Sequence, residues 1–426
     1  MALLQIALDF VDLDRAMRIA KEVEKYVDII EVGTPLIKSE GMNAVRAMKK
    51  AFPDKPIVAD MKTMDVGALE VEMAAKAGAN IVTVMGVSDE STLKEAVEAG
   101  RRYGAQIMVD IMNVDEPGEA IEKFEKLGVT YVCAHVGIDQ QMKGKKPVEM
   151  LGKIAHTKMK IAVAGGIDAG NVGEILKYRP DIVIVGSAIT KAEDAEESAR
   201  KIHLALKKNR SIKTERGRFG EKELEEAFRI VSSPNISDAM HRNGEIRGII
   251  PITTGVKLVG RAVTVRTYPG DWAKPVRAID TAKKGDVIVI DAGGCEKAVW
   301  GELATHSCLN KGVAGAVVYG CVRDVEEIRR MKFPLFAIGI SPTAGEPKGM
   351  GEINVEIKIG GASIKPGDWI IGDESGVVVV PAEKALEVAN RALEVYKNEG
   401  RILSEMKKKR RTLSETVHIE KWERIV

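Results

Sequence analysis

The sequence predicts an α/β protein with an eight-stranded parallel β/α barrel first and a mixed α/β domain second. Three observations predict it. Short, β-branched apolar runs recur eight times through residues 1–208, with a helix-like stretch between each run and the next. That rhythm stops after KIHLALKK, and strand-like runs broken by Gly, Pro and Asp turns take over beyond residue 221. A chain of 426 residues also exceeds one ordinary hydrophobic core, so two or more domains are expected independently of the pattern.

The eight runs begin near residues 3, 28, 56, 80, 106, 130, 160 and 181 and read LLQIALD, DIIEVG, PIVADMK, NIVTVMG, QIMVDIM, TYVCAHVG, KIAVAGGI and DIVIVGSAI. Continuous apolar runs of this length fit strands buried on both faces, as in a parallel sheet. Stretches such as DLDRAMRIAKEVEKYV and SDESTLKEAVEAGRRYG supply the intervening helices. Eight strand–helix units make a (β/α)8 TIM barrel over residues 1–208 the leading architecture, with a doubly wound open sheet as the alternative. Residues 209–220 set Arg210, Lys213, Arg216 and Arg218 against Glu215 with little apolar content, which reads as a charged linker. Residues 221–426 form the second domain. It opens with a helix at EKELEEAFRIV and continues through RAVTVRTY, DVIVIDAGG, GAVVYGCV, LFAIGI, VEIKIGG and DWIIGDESGVVVVP. A last helix over about 382–409 ends on Lys407, Lys408 and Lys409, where basic side chains suit a helix C-terminus.

Composition narrows the function classes. Apolar residues at 45% and charged residues at 30% fit a soluble globular chain, and a net charge of +2 argues against a nucleic-acid partner. Cys133, Cys295, Cys308 and Cys321 form no C-x-x-C pair and no zinc spacing, so a reducing, cytoplasmic compartment is expected. The start MALLQIALDF lacks a basic n-region and Asp9 interrupts its apolar run, so no signal peptide is expected. No apolar stretch approaches the roughly 20 residues that span a bilayer, so no membrane role is expected.

Active-site groups of a β/α barrel sit at the C-terminal ends of its strands. Those positions hold Asp9, Glu31, Asp60, Lys62, Asp110 and His135. Exposed loop charges are the bland explanation for any single member; for six at six such positions it fails, because unpaired buried charges are expensive. In D-M-K-T-M-D, residues 60–65, alternation along a strand puts Asp60 and Lys62 on one face, with Asp65 just beyond. Glu31 and Asp60 are hard oxygen donors suited to sharing Mg2+ with substrate oxygens. His135 is the candidate acid/base, imidazole being the side chain that ordinarily titrates near neutral pH. Gly165 and Gly166 after the seventh strand, and Gly186 and Ser187 after the eighth, stand where such barrels bind phosphate.

D-M-K-T-M-D matches the D-x-K-x-x-D signature of the orotidine monophosphate decarboxylase superfamily, and residues 1–208 resemble that superfamily throughout. Within it they resemble the 3-hexulose-6-phosphate synthases most. The related 3-keto-L-gulonate-6-phosphate decarboxylases have Glu and Arg where this chain has Asp110 and Ser187, and Glu31 argues against orotidine decarboxylation. The resemblance implies reversible condensation of formaldehyde with the sugar phosphate ribulose 5-phosphate. Mg2+ on Glu31 and Asp60, Lys62 beside a developing enediolate and His135 as acid/base are its implied machinery. It also implies that Asp65 reaches a neighbouring subunit, hence a homo-oligomer.

In the second half, G-G-C-E-K-A-V-W-G-E-L-A at 293–304 and Y-G-C-V-R-D-V at 319–325 are the informative stretches. An Arg-Asp pair after a strand reads by itself as a surface salt bridge. In order with G-x-A-V-T-V, D-V-I-V-I-D-x-G-G and D-x-x-G-V-V-V-V-P, it resembles one family from about 225 to 400. That family contains 4-hydroxy-4-methyl-2-oxoglutarate aldolase, oxaloacetate decarboxylases and regulators of ribonuclease E activity. The resemblance implies that Gly301, Glu302, Leu303 and Arg323 hold the carboxylate of an α-keto acid, with Asp324 at a second Mg2+. Retention of Asp324 favours a keto-acid lyase over a non-catalytic ribonuclease regulator; that regulator and an oligomerisation platform stand as alternatives. Fusions of this composition resemble archaeal ones.

Overall fold

The computed structural model describes residues 1–212, 219–294, 296–421 and 423. The chain forms two compact units, Met1–Gly217 with Gly400–Val426 and Arg218–Glu399.

In the first unit eight parallel strands close in chain order: β1 (Leu3–Leu8), β2 (Ile29–Val32), β3 (Ile57–Thr63), β4 (Ile81–Met85), β5 (Gln106–Asp110), β6 (Tyr131–His135), β7 (Lys160–Ala164) and β8 (Ile182–Val185). Closure excludes the open sheet, since Gln5 of β1 lies opposite Ile29 of β2 and also opposite Ile184 of β8. Alternation along each strand creates two apolar layers. Leu4, Ile6 and Leu8 face the surrounding helices. Ile29, Val58, Ile81, Met108, Tyr131 and Ile182 belong to a separate cluster that fills the barrel interior.

Helix boundaries follow local chemistry. Asp12 caps the helix Leu13–Val23 by accepting from Arg15 N at 2.8 Å, and Asp89 caps Glu90–Tyr103 through Ser91 N at 2.8 Å. Pro117 and Pro147 each open a helix, where a missing N–H costs nothing. Gly104 and Gly128 close the helices that Asp89 and Pro117 begin, each in the left-handed conformation.

The second unit contains β9 (Ile250–Pro251), β10 (Leu258–Thr267), β11 (Val287–Asp291), β12 (Ala298–Trp300), β13 (Gly315–Val322), β14 (Leu335–Ile340), β15 (Gly351–Ile353), β16 (Ile357–Ile359), β17 (Ala362–Ile364), β18 (Trp369–Asp373) and β19 (Gly376–Val380). Its main sheet runs β19-β18-β10-β11-β13-β14-β9, with β12 against β13 and β15 against β10; β16 and β17 form a separate hairpin. Strands β10, β11, β13 and β14 are mutually parallel, and β18 and β9 join antiparallel, so the sheet is mixed as the sequence predicts.

Three local details differ from the sequence reading. EKELEEAFRIV splits into a 3-10 turn, Glu221–Glu223, and a helix, Leu224–Ile230, and a second helix, Ser233–Ala239, follows it. The long last helix, Ala385–Lys409, carries its final turns into the barrel unit, whereas the sequence reading kept residues 400–426 with the second domain. Within the barrel unit Arg401 is buried and lies 3.6 Å from Glu405, which also approaches Arg18 at 3.8 Å. Finally, the expected linker is partly anchored: Ile212 N donates to Ala169 O at 2.7 Å. Lys213, Glu215, Arg216 and Arg218 lie outside the described residues, as does Cys295. Cys133 and Cys308 are free thiols, and no helix among the described residues is long and apolar enough to cross a membrane.

Candidate active sites

The barrel brings its strand-end charges into one network. Lys62 Nζ lies 2.9 Å from Asp60 Oδ2 and 3.2 Å from Asp110 Oδ2, so one ammonium bridges two buried carboxylates from β3 and β5. Asp110 Oδ2 also meets His135 Nδ1 of β6 at 2.7 Å. Asp60 is held further by Thr83 Oγ1, donating to Oδ1 at 2.7 Å, and by Thr34 Oγ1, donating to Oδ2 at 2.8 Å.

Simple strand alternation does not produce the Asp60–Lys62 contact. Lys62 has φ 48°, and the β3–β4 register shifts between Ala59 and Thr63. A left-handed lysine costs on the order of 1–3 kcal/mol, and such strain concentrates at functional sites. Here it turns the ammonium back onto Asp60. Val66, at φ 47°, starts the next helix, Gly67–Lys76, and Asp65 between them is exposed, accepting from Val66 N at 2.7 Å. Asp65 is therefore outside the network of its own barrel.

Electrostatics separates the carboxylates into two groups. Burial disfavours the charged form of Asp110, yet His135, Lys62 and the Met112 N–H outweigh it and hold Asp110 down at about 2. Burial also works against the Lys62 ammonium, and Asp60, Asp110 and Glu31 overcome it, raising its proton affinity. Glu31 is pushed well above the ordinary carboxylate range by burial, then by Asp60 and Asp9. Asp9 is exposed in the barrel mouth, but desolvation by the surrounding protein and the Asp60 charge still raise it. Asp9, Glu31 and Asp60 thus form an acidic corner beside the Lys62–Asp110–His135 line. No three His, Cys, Asp or Glu side chains among the described residues make a preformed metal cage. Two carboxylates completed by substrate oxygens are the arrangement that the donor chemistry fits.

Of the glycine loops that follow β7 and β8, the second borders this corner. Gly165 and Gly166 have φ of 114° and 67°, and a side chain at Gly165 would meet Val136 O at 2.6 Å. Gly186 is followed by the short helix Ser187–Thr190, and a Cβ on Gly186 would lie 3.7 Å from Asp9 Oδ2. At Gly33 a Cβ would come 2.3 Å from Asp9 Oδ1, so only glycine fits beside that carboxylate. The sequence reading did not single out Gly33, Thr34, Thr83 or Gln5, whose Nε2 donates to Glu31 Oε2 at 2.5 Å. Gln5 alone left a trace, as a polar residue inside the apolar run LLQIALD.

In the second unit the two informative motifs meet because β12 pairs in parallel with β13, setting Trp300 opposite Val322. Asp324 Oδ2 then accepts from Glu302 N at 3.2 Å and lies 3.4 Å from Arg323 Nε. A Cβ at Gly301 would approach Asp324 Oδ2 to 2.6 Å, which explains the glycine. Asp324 itself is left-handed at φ 56°. Glu302 and Leu303 open the helix Glu302–Lys311, and Leu303 is 79% exposed, so the predicted set forms an open shelf with a helix N-terminus, a guanidinium and a carboxylate.

Comparison with known proteins divides the chain in the same way. The sequence model of the "Orotidine 5'-phosphate decarboxylase / HUMPS family" matches residues 2–202, and that of the RraA-like family, "Aldolase/RraA", matches residues 233–379. The 3-hexulose-6-phosphate synthase of Bacillus subtilis (strain 168) is 43% identical over 201 residues, covering 47% of this chain and 96% of that protein. That of Staphylococcus epidermidis (strain ATCC 12228) is 36% identical over 205 residues, covering 48% and 98%. Among solved structures, 3-hexulose-6-phosphate synthase from Salmonella typhimurium is 42% identical with a TM-score of 0.48, covering 49% of this chain and 99% of that one. The RNA-processing inhibitor RraA from Thermus thermophilis is 28% identical with a TM-score of 0.33, covering 35% and 92%.

Proposed function

The chain belongs through its barrel to the orotidine 5'-phosphate decarboxylase / HUMPS family, with 3-hexulose-6-phosphate synthases as relatives, and from that premise we propose that the barrel reversibly condenses D-ribulose 5-phosphate with formaldehyde to D-arabino-hex-3-ulose 6-phosphate. The observation that carries this reading is the Asp60–Lys62–Asp110–His135 line, which joins a fixed ammonium to an oriented imidazole.

The reaction needs a proton removed from carbon 1 of the ketose. The resulting 1,2-enediolate attacks the formaldehyde carbon, and the formaldehyde oxygen takes up a proton as the new C–C bond forms. His135 removes the first proton: Asp110 engages Nδ1 and fixes the ring, leaving Nε2 for the substrate. Lys62 offers positive charge where the enediolate oxygen develops. Glu31 and Asp60 would hold Mg2+, with Asp9 adding negative charge beside them; bound there, Mg2+ supplies Lewis acidity to two vicinal substrate oxygens. Gly165, Gly166, Gly186 and Ser187 take the phosphate at the rim. Asp65 stands among exposed Met64, Val66 and Leu69, a surface that supports contact with a second copy of the chain.

The test is ribulose-5-phosphate-dependent loss of formaldehyde. Intact protein with Mg2+ consumes formaldehyde, EDTA stops it, and Asp60→Ala lowers the rate by at least about 100-fold. Activity that is indifferent to EDTA, or retained in Asp60→Ala, overturns the assignment of Asp60. No activity in folded protein overturns the synthase reading.

For the second domain we infer a metal-dependent α-keto-acid aldolase or decarboxylase. Arg323 and the N-terminus of Glu302–Lys311 suit a carboxylate, and Asp324 is a single hard donor for Mg2+. Both cleavages pass through a pyruvate enolate. Oxaloacetate decarboxylation with Mg2+ should be detectable in intact protein and lost in Asp324→Asn. Its absence, with inhibition of a ribonuclease in its place, would assign the domain to regulation.

A further inference from the structure

Gln5 is an anomaly of the barrel interior. It is fully buried at 0% exposure, and its register partners Ile29 and Ile184 both belong to the apolar interior cluster. An apolar residue would satisfy that layer without a buried amide to compensate. Gln5 instead reaches up one layer. Ala7, two residues on, is level with Glu31, and Gln5 Nε2 donates to Glu31 Oε2 at 2.5 Å. Its Oε1 has no hydrogen-bond partner among the described residues. Packing therefore does not require this amide, and its one bond is spent on one oxygen of one carboxylate. Ionised, as a cation ligand is, Glu31 only accepts, so the Gln5 NH2 group is the one that faces it.

We propose that Gln5 is a positioning residue that orients Glu31 toward the divalent cation. The bond engages Oε2, and on this reading the other carboxylate oxygen is the one offered to the cation. Outer-shell partners of this kind commonly change metal affinity by 10–100-fold when removed. The inference rests on the magnesium reading of the barrel given above.

The test uses full-length chain carrying Asp324→Asn, which weakens the second domain's metal site, and titrates it with Mn2+ by electron paramagnetic resonance. Gln5→Leu and Gln5→Met should each weaken Mn2+ binding about 10–100-fold with melting temperature unchanged or raised. Formaldehyde condensation in these variants should fall at limiting Mg2+ and recover at saturating Mg2+, a rescue that a packing defect would not give. Glu31→Gln is the reference, and it should weaken Mn2+ binding at least as much. If Glu31→Gln weakens binding and both Gln5 variants leave it unchanged, Gln5 does not position the ligand and the inference fails alone. If Glu31→Gln also leaves binding unchanged, the magnesium reading fails and takes this inference with it. Loss of folding in both Gln5 variants assigns Gln5 to the core and likewise overturns it.

Discussion

Lys62→Met should lower kcat/KM for formaldehyde condensation by about 100- to 1,000-fold, the loss that follows removal of one preorganised electrostatic group. Methionine keeps the length of the stem, so the change isolates the charge. Two consequences follow from where that charge sits. The developing enediolate loses its fixed cation, and Asp60 and Asp110 lose the ammonium that lies 2.9 and 3.2 Å from them. The second consequence has a stability signature. Asp110 is held near 2 against an ordinary 3.8 by His135 and Lys62 acting against burial. A depressed acid stabilises the fold fully above its unfolded pKa, and the contribution disappears as pH falls from about 4 toward 2. Without Lys62 the depression shrinks, so acid unfolding followed by circular dichroism should begin at higher pH in the variant. An unchanged acid limb together with unchanged kcat/KM would remove Lys62 from both roles.

The barrel was legible because its strands are buried on both faces. A parallel strand so placed must be apolar end to end, and eight such runs at regular spacing leave little freedom of architecture. The charges at the strand ends were legible for the complementary reason, since each interrupts an apolar run at the level where the barrel opens. Thr34, Thr83 and Gln5 were not picked out, because their roles depend on neighbours in space. A threonine in a strand is unremarkable until Asp60 lies 2.7 Å from its hydroxyl. The turn at Lys62 was also hidden: alternation gave the correct pairing of Asp60 with Lys62 for a straight strand, while the chain achieves it with a left-handed residue and a register shift. In the second domain, β9 and β12 are two and three residues long, too short for any periodic signal. Glu302 and Asp324 are 22 positions apart, and only the β12–β13 register makes them neighbours. Family resemblance brought out that site, and the residues alone read as a surface ion pair.

His135→Gln should reduce the rate of carbon-1 proton exchange on ribulose 5-phosphate by about 100- to 10,000-fold, the span associated with one general acid/base. Proton exchange in D2O without formaldehyde isolates the first half of the reaction from carbon–carbon bond formation. Glutamine can still donate an N–H to Asp110, so it preserves the partner of a buried carboxylate while removing the group that exchanges protons. Asp110 also keeps Lys62 at 3.2 Å, and the fold should survive with little loss. The geometry separates this variant from Lys62→Met. His135 holds the proton and Lys62 holds the charge, so His135→Gln should slow exchange to that extent while leaving substrate affinity near its original value. Lys62→Met should weaken both, because the ammonium also sits beside the acidic corner where the ketose oxygens bind. If exchange persists in His135→Gln and vanishes in Asp9→Asn, the base is Asp9, whose raised proton affinity in the barrel mouth makes it the competitor to His135.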